Sequence, residues 1–280
     1  MTIKKTILIT GASRGIGLDT AKRLAVRGHL VFAGMRDVEV RNATPAKELL
    51  AFSERCAGSI QPIELDVTQS EACAAAVQTI EAQRPLDVLI NNAGVMPTGV
   101  TEAFSMEQAK DLFDVNVYGI MRMNRAVLPT MRARKSGLII SLSSAAGRFG
   151  MPFFGLYCAS KWAMEAYCEA QHYELESFGI ESLIIEPSGH GTDLVSTAPS
   201  PSDLDRLSGY GDLAKGRERL LGMFQNMFDQ GEGITDAGNV ADRIAGLVDM
   251  ESPRPLRTQV GQDMGVSAVN DAVAPIQENL

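Results

Sequence analysis

The stretch Thr6-Ile7-Leu8-Ile9-Thr10-Gly11-Ala12-Ser13-Arg14-Gly15-Ile16-Gly17 decides how this chain folds. Its first five residues are apolar or β-branched and read as a short buried strand. Glycines follow at once. From Gly15 to Arg27 the pattern turns helical, with Ile16, Ala21, Leu24 and Ala25 on one face. A strand that turns through glycines into a helix brings free N–H groups and the positive end of the helix dipole to the turn, where a phosphate is favoured. The spacing of Gly11, Gly15 and Gly17 is G-x-x-x-G-x-G, so the standard G-x-G-x-x-G fingerprint is not matched.

Working outward, apolar runs alternate with helix-period segments. Leu30 to Ala33 reads as a second strand, Ala46 to Cys56 as a helix and Ile60 to Leu65 as a third strand. A helix over Ser70 to Gln83 precedes a fourth strand, Asp87 to Asn91. A long helical stretch, Met106 to Arg134, contains Pro129, which is expected to end or kink it. Leu138 to Leu142, Tyr157 to Phe178 and Glu181 to Glu186 continue as strand, helix and strand. This alternation predicts a parallel sheet with right-handed helical crossovers, that is, a doubly wound α/β single domain over 1–280.

Residues 189–235 break the rhythm. They hold Pro199, Pro201 and an amphipathic segment, Leu220 to Met227, and a long insertion of this kind reads as a helical lid over substrate. The plainer alternative is a surface loop packed under one helix. Asp236 to Met250 returns to helix, Leu256 to Val260 to strand, and the tail 262–280 carries weak signals.

The composition sets limits. With 280 residues, 26 basic against 34 acidic and a net charge of −8, the chain is a poor binder of nucleic-acid phosphates. No run of about 18 apolar residues is present, so no membrane span is expected. The four cysteines form no C-x-x-C pair and read as reduced thiols of a cytoplasmic protein. The N-terminus is read as mature sequence, without a signal peptide.

Two features point to chemistry. After the second strand comes Arg36, and Arg14 sits in the glycine loop; two guanidiniums suit the 2′-phosphate of NADP(H). Asp37 stands beside them and either pairs with Arg36 or takes a ribose hydroxyl. Tyr157 and Lys161 lie at i,i+4 on one helix face. An ammonium near a phenol favours the phenolate, and so brings a tyrosine towards the range of useful acid–base work.

Thr10 to Gly17, Asp66-Val67, Asn91-Asn92-Ala93-Gly94, Asn116, Ser143-Ser144 and Tyr157-x-x-x-Lys161 stand in one order across two thirds of the chain. In these motifs it resembles the short-chain dehydrogenase/reductase family in its single-domain form. The run Tyr157-Cys-Ala-Ser-Lys-Trp-Ala-Met-Glu-Ala is most similar to the 17β-hydroxysteroid and retinol dehydrogenase-like subgroup. The resemblance implies a Rossmann-like sheet and hydride exchange between a nicotinamide cofactor and a carbonyl. It implies that Tyr157 is the general acid in reduction. Lys161 lowers its pKa and holds the nicotinamide ribose. Ser144 hydrogen-bonds the substrate oxygen, with Ser143 the second choice, and Asn116 holds a water that relays protons to Lys161.

The resemblance also assigns the cofactor wall. Gly11, Ser13, Arg14, Gly15, Ile16 and Gly17 form the phosphate loop, with Arg36 beyond it. Asp66 and Val67 meet the adenine, and Asn92, Ala93 and Gly94 line the nucleotide. Pro187, Gly189, His190 and Thr192 lie along the nicotinamide. Here the chain departs from the family's usual Pro-Gly and Val, carrying Ser188 and His190 in their place. His190 reads as a backbone contact or a polar pocket wall rather than a metal ligand, since no partner stands at ligand spacing.

The expected activity is NADP(H)-dependent interconversion of a ketone and a secondary alcohol on a small hydrophobic substrate. One or two of Phe149, Met151, Phe153 and Phe154, with Met223, Phe224, Met227 and Phe228 of the lid, are candidates for an apolar wall. Rival readings are a 3-oxoacyl thioester reductase, for which Lys215, Arg217 and Arg219 are the nearest cations, and a non-catalytic NADP-binding regulator. The outward faces of the two long helices are expected to build a homodimer or homotetramer.

Overall fold

The computed structural model describes residues 4–230 and 233–277. Residues 231 and 232 of the expected lid and the last three of the tail lie outside the described residues.

The elements run β1 (Thr6–Thr10), α1 (Gly15–Val26), β2 (Leu30–Met35), α2 (Ala43–Ser53), β3 (Ser59–Glu64), α3 (Ser70–Glu81) and β4 (Val88–Asn91). There follow α4 (Met106–Phe113), α5 (Gly119–Arg134), β5 (Gly137–Leu142), α6 (Gly155–Glu176) and β6 (Ile180–Pro187). Short α7 (Asp193–Ser196) and α8 (Leu204–Ser208) lead to α9 (Gly216–Gln230), α10 (Ala237–Asp249), β7 (Arg257–Val260) and α11 (Val266–Gln277).

The seven strands pair in parallel in the order β3-β2-β1-β4-β5-β6-β7. Strand order reverses between β1 and β4, and a doubly wound sheet opens a ligand crevice there, at the carboxyl ends of its strands. β1 is buried throughout because both faces of the sheet are covered. Ile7, Ile9, Val31 and Ala33 pack with Leu24 of α1 and Val240 and Ile244 of α10. Leu8, Phe32, Leu89 and Ile139 pack on the other face with Val77 and Ile80 of α3 and Met123 and Val127 of α5.

Several boundaries differ from the sequence reading, each for a local reason. β2 runs on to Met35 because Gly34 leaves room for Leu65; a Cβ at Gly34 would stand 2.6 Å from Leu65 Cδ2. α2 begins three residues earlier than expected, with Pro45 in its first turn, where a missing N–H costs nothing. The helical stretch 106–134 is broken at Asp114–Tyr118, where one π turn joins α4 to α5. Pro129 does not end α5, which continues to Arg134 and stops at Lys135 in the left-handed region (φ 53°). The weakly patterned tail forms α11.

The insertion is helical, as expected. α9 lies over the carboxyl ends of the strands, with Leu220 and Phe224 against a cluster of Met96, Phe154, Tyr157 and Ala198. Arg217 fastens it by donating to the carbonyls of Thr98 (3.1 Å) and Ala198 (2.9 Å).

Candidate active site

One cavity of about 510 Å³ opens along the carboxyl edge of the sheet. At its centre β1 turns into α1. Gly11 and Gly15 hold positive φ (66° and 54°), and a Cβ on Gly11 would meet Ala93 Cα at 2.9 Å. The first turn of α1 has no acidic residue and no side chain capping it, so its N–H groups face the cavity unclaimed by a cap. Ser13, Arg14, Gly15 and Ile16 line the cavity with Gly11. Gly17 lies behind the loop: a Cβ there would overlap Asn92 Nδ2 at 2.4 Å and Gly11 O at 2.6 Å. Its smallness lets the loop close on itself.

The loop is pinned from below. Thr10 Oγ1 accepts from the backbone N–H groups of Asn92 and Ala93, both at 3.0 Å. Asn92 Nδ2 donates to the carbonyls of Thr10 (2.9 Å) and Gly11 (3.0 Å). Asn92, Ala93 and Gly94 line the cavity, but the Asn92 amide group is spent on this pin. Asp66 and Val67 line it from the β3 side, with Asp66 Oδ1 accepting from the N–H and hydroxyl of Thr68 (2.9 and 2.8 Å).

Beyond β2, Arg36 faces the cavity together with Arg14 and with Arg41, which sequence reasoning missed. Arg41 stands in a polar loop six residues after Met35, and its basic character so near the strand end was the available signal. Asp37 turns away. It adopts a left-handed backbone (φ 48°), and its N–H and that of Val38 donate to the Glu64 carboxylate, each at 2.9 Å. Arg14 meets Asp193 of α7 at 3.9 Å across the mouth, both well exposed.

At the other end β5 delivers Ser143 and Ser144, and α6 delivers Tyr157 and Lys161. The Ser144 hydroxyl stands by the Tyr157 phenol and accepts from Ala146 N–H (3.2 Å). Ser143 points the other way, against Glu165. Ser144 is therefore the serine that shares a point with Tyr157. Lys161 Nζ lies 5.8 Å from the Tyr157 ring centre and donates to the Leu142 carbonyl at 2.6 Å.

Burial dominates both titrations. It pushes the Tyr157 phenol up to about 12, against the opposing effect of the nearby Ser144 hydroxyl. It pushes Lys161 down to about 8, against the Glu165 carboxylate. The Lys161 ammonium, bonded to the Leu142 carbonyl, does not outweigh the burial of the phenol in this arrangement.

Asn116 lies in the π turn, fully buried behind the cavity wall. Its Oδ1 accepts from Val95 N–H and its Nδ2 donates to Val95 O, both at 2.9 Å, and to Ser160 Oγ at 3.1 Å. A Cβ on Gly94 would stand 3.4 Å from Asn116 Oδ1 and 4.0 Å from Lys161 Nζ, so Gly94 leaves these two groups facing one space.

Pro187, Ser188, Gly189, His190 and Thr192 form the wall after β6. Ser188 is bonded by its N–H and its hydroxyl to Val260 O of β7 (3.0 and 3.2 Å). His190 is buried; its Nδ1 lies 2.9 Å from Ser188 O, which as a carbonyl can only accept. Nδ1 therefore carries the proton, and burial keeps the ring neutral by lowering its pKa. Thr192 Oγ1 caps α7 (3.3 Å to Leu194 N), while its Cβ and methyl carbon would stand 3.8 Å from a Cβ on Gly15.

The remaining walls are apolar: Met96, Met151, Phe154, Leu194, Phe224 and Phe228. Phe224 stands edge-on to Phe154 (5.7 Å between centres) and stacks on Phe228. Met227 packs over Gly189. Met223 leaves the expected apolar face and is 68% exposed.

The chain belongs to the short chain dehydrogenase family, whose model matches residues 5–202. It is 32% identical over 277 residues to the uncharacterized oxidoreductase YusZ of Bacillus subtilis, covering 97% of this chain and 94% of the relative. It is 34% identical over 253 residues to retinol dehydrogenase 8 of Bos taurus, covering 86% and 78%. With the human 17-beta-hydroxysteroid dehydrogenase type 1 it shares 38% over 187 residues, 65% of this chain and 56% of that protein. The crystal structure of a short-chain dehydrogenase from Streptomyces avermitilis superposes with a TM-score of 0.78 at 29% identity, covering 99% and 95%. The chain is thus a Rossmann-like oxidoreductase of the 17β-hydroxysteroid and retinol dehydrogenase-like kind.

Proposed function

We propose that this protein is an NADP(H)-dependent reductase of hydrophobic ketones, running in reverse as a secondary-alcohol dehydrogenase. One observation carries the reading: Ser144, Tyr157 and Lys161 line the same cavity as the uncapped N-terminus of α1 and three guanidiniums. The cradle fits a dinucleotide, since a Cβ on Gly11 would strike Ala93 and the α1 N–H groups have no side-chain cap. Ser13, Gly15 and Ile16 would hold the pyrophosphate, and Arg14, Arg36 and Arg41 the 2′-phosphate. Asp66 and Val67 flank the adenine. Lys161 would hold the nicotinamide ribose, with Pro187, Gly189, His190 and Thr192 along the nicotinamide. When bound, the nicotinamide supplies the hydride.

The residues of the chain do the rest. Ser144 donates to the carbonyl oxygen and polarises it. Tyr157 donates its proton to that oxygen as negative charge builds there. A phenol held near 12 is fully protonated at neutral pH, which is the form reduction requires. Lys161, protonated below about 8, supplies the positive charge that favours the transient phenolate. Proton replacement runs past Gly94 towards Asn116, where a water links Lys161 to solvent. Phe154, Phe224 and Phe228 keep bulk water from the reacting carbon and give an apolar substrate its contact area. α9 and the rest of 189–235 act as the substrate lid.

The lid argues against the thioester reductase. Arg217 is spent on the carbonyls of Thr98 and Ala198, Arg219 donates to Asp212 O, and Lys215 pairs with Asp212. Among the described residues of the lid, Arg206, Lys215, Arg217 and Arg219 all have acceptors within the chain. Exposed Met106, Tyr118 and Trp162 on α4–α6 offer the face for a second copy.

The test follows oxidation of NADPH by its absorbance against a panel of ketones graded by size and polarity, with NADH alongside. Turnover with bulky apolar ketones that falls by about 10²–10⁴-fold in Tyr157→Phe is expected. Unchanged turnover in that variant, or activity only on acetoacetyl-coenzyme A, overturns the reading.

A further inference from the structure

Behind the reaction helix lies an ionic cluster that no step above uses. Glu165, on α6 one turn beyond Lys161, is 3% exposed, and Glu186 at the end of β6 is fully buried. Arg257 of β7 reaches Glu165 Oε2 at 3.0 Å, Glu186 Oε1 at 3.4 Å and Glu169 Oε2 at 2.7 Å. Arg148, four residues after Ser144, approaches Glu186 Oε1 at 3.6 Å and Glu165 Oε2 at 3.9 Å. Asn270 of α11 donates to Glu186 Oε2 at 2.6 Å. Surface ion pairs are worth little, but a carboxylate is rarely buried this deeply unless something depends on its charge.

The two buried carboxylates are not equivalent. Glu165 has the closer guanidinium, faces the Ser143 hydroxyl and lies one helical turn from an ammonium. Burial raises both carboxyls, but Arg257 stands closer to Glu165 (3.0 Å) than to Glu186 (3.4 Å), and burial together with the neighbouring Glu165 charge pushes Glu186 up to about 7. A proton shared in the cluster therefore rests on Glu186, and Glu165 keeps its charge.

Every segment that carries a reacting group touches Glu165 or its partners. Ser143 adjoins Ser144, Arg148 belongs to the turn after it, Lys161 is on the same helix, and Glu186 leads directly into Pro187. We infer that Glu165 is a positioning residue for the reaction: its buried carboxylate keeps the Lys161 ammonium charged and fastens the Ser144 turn to the Tyr157 helix. The inference rests on the roles proposed above for Tyr157 and Lys161.

The groups that face Lys161 are Tyr157, Glu165 and Cys168 from its own helix, the Leu142 carbonyl from β5 and Asn116 from the π turn. Among them Glu165 is the carboxylate, and it favours the ammonium against burial. Glu165 in turn faces Arg148, Arg257, Ser143 and Glu186. Removing its charge while keeping its shape must make Lys161 lose its proton at lower pH.

The experiment measures kcat/KM for NADPH-dependent reduction of the best ketone of the panel against pH, in wild type, Glu165→Gln and Glu165→Asp, with Tyr157→Phe as reference. In Glu165→Gln the alkaline limb is expected to move down by about one pH unit, with activity at lower pH retained. Glu165→Asp, which keeps the charge but draws it back, falls between Gln and wild type. A merely structural role gives the opposite order, because Gln preserves the shape and Asp leaves a gap. Arg257 keeps Glu169, so the Gln variant is expected to fold; its melting and circular dichroism are checked. If it does not fold, the Asp variant carries the test, and an alkaline limb left at the wild-type pH overturns the inference. Failure of the inference is separable from failure of the proposed function: the first leaves Tyr157→Phe inactive with the limbs unmoved, the second leaves Tyr157→Phe active.

Discussion

Replacing Arg36 by Asp tests the cofactor assignment at its most exposed point. Arg14, Arg36 and Arg41 all line the cavity, and none of them is buried. Two unit charges about 5 Å apart in a water-like medium interact by roughly 0.8 kcal/mol. A guanidinium facing a phosphate of nearly two negative charges therefore contributes about 1.6 kcal/mol, or roughly 15-fold in affinity. Reversing the charge loses that attraction and adds a repulsion of similar size, about 3 kcal/mol and roughly 200-fold. NADH carries no 2′-phosphate, so its KM should hold within about threefold on the same reasoning. Steady-state kinetics with both cofactors gives the ratio directly. Because the site is exposed, the preference for NADPH must also shrink with added salt over a Debye length of about 8–10 Å. Equal changes in the two KM values, or a salt-independent preference, refute the reasoning.

Two further predictions concern the site's cost. Lys161→Met should abolish turnover yet raise Tm by about 5 °C. Its folded-state pKa of about 8 lies below its ordinary 10.5, so stability is highest above 10.5 and is lost as pH falls through 8; at pH 7 the buried ammonium costs roughly 3 kcal/mol. A melting scan at pH 7 in which the variant is less stable contradicts this. Gly11→Ala should weaken NADPH binding, read by fluorescence, by at least about tenfold and lower Tm, since φ of 66° and the Ala93 backbone at 2.9 Å both oppose a side chain. Wild-type affinity in that variant shows that the loop can shift.

The sheet was legible because its strands are nearly continuous apolar runs bounded by helix-period segments, as Thr6–Thr10 and Leu138–Leu142 show. The Tyr157/Lys161 pair was readable from its i,i+4 spacing on one helix and the glycine loop from its place between strand and helix, whereas Ser144 entered only through the family resemblance. What sequence could not give was contact between distant elements. The π turn at Asp114–Tyr118 has no periodic signature, and neither does the use of the Asn92 amide nitrogen to pin the glycine loop. Arg41 reaches the cavity only because the loop before α2 folds back. The electrostatics of Tyr157 were misjudged for a related reason: i,i+4 spacing places Lys161 beside the phenol, but burial, invisible in a linear pattern, outweighs the charge.

The position of β7 and α11 bears on how the molecule is made. These last described elements supply Arg257 and Asn270, which bind the buried carboxylates beneath the reaction helix, while Ser188 hangs from Val260. A nascent chain can assemble β1 to β4 around the glycine loop long before these residues leave the ribosome. Two carboxylates then wait in the half-built sheet with Arg148 as their guanidinium until the closing strand brings Arg257. The nucleotide cradle is thus complete early in synthesis and the catalytic half late, so a chain halted before Arg257 should emerge able to grip a nucleotide and unable to turn it over.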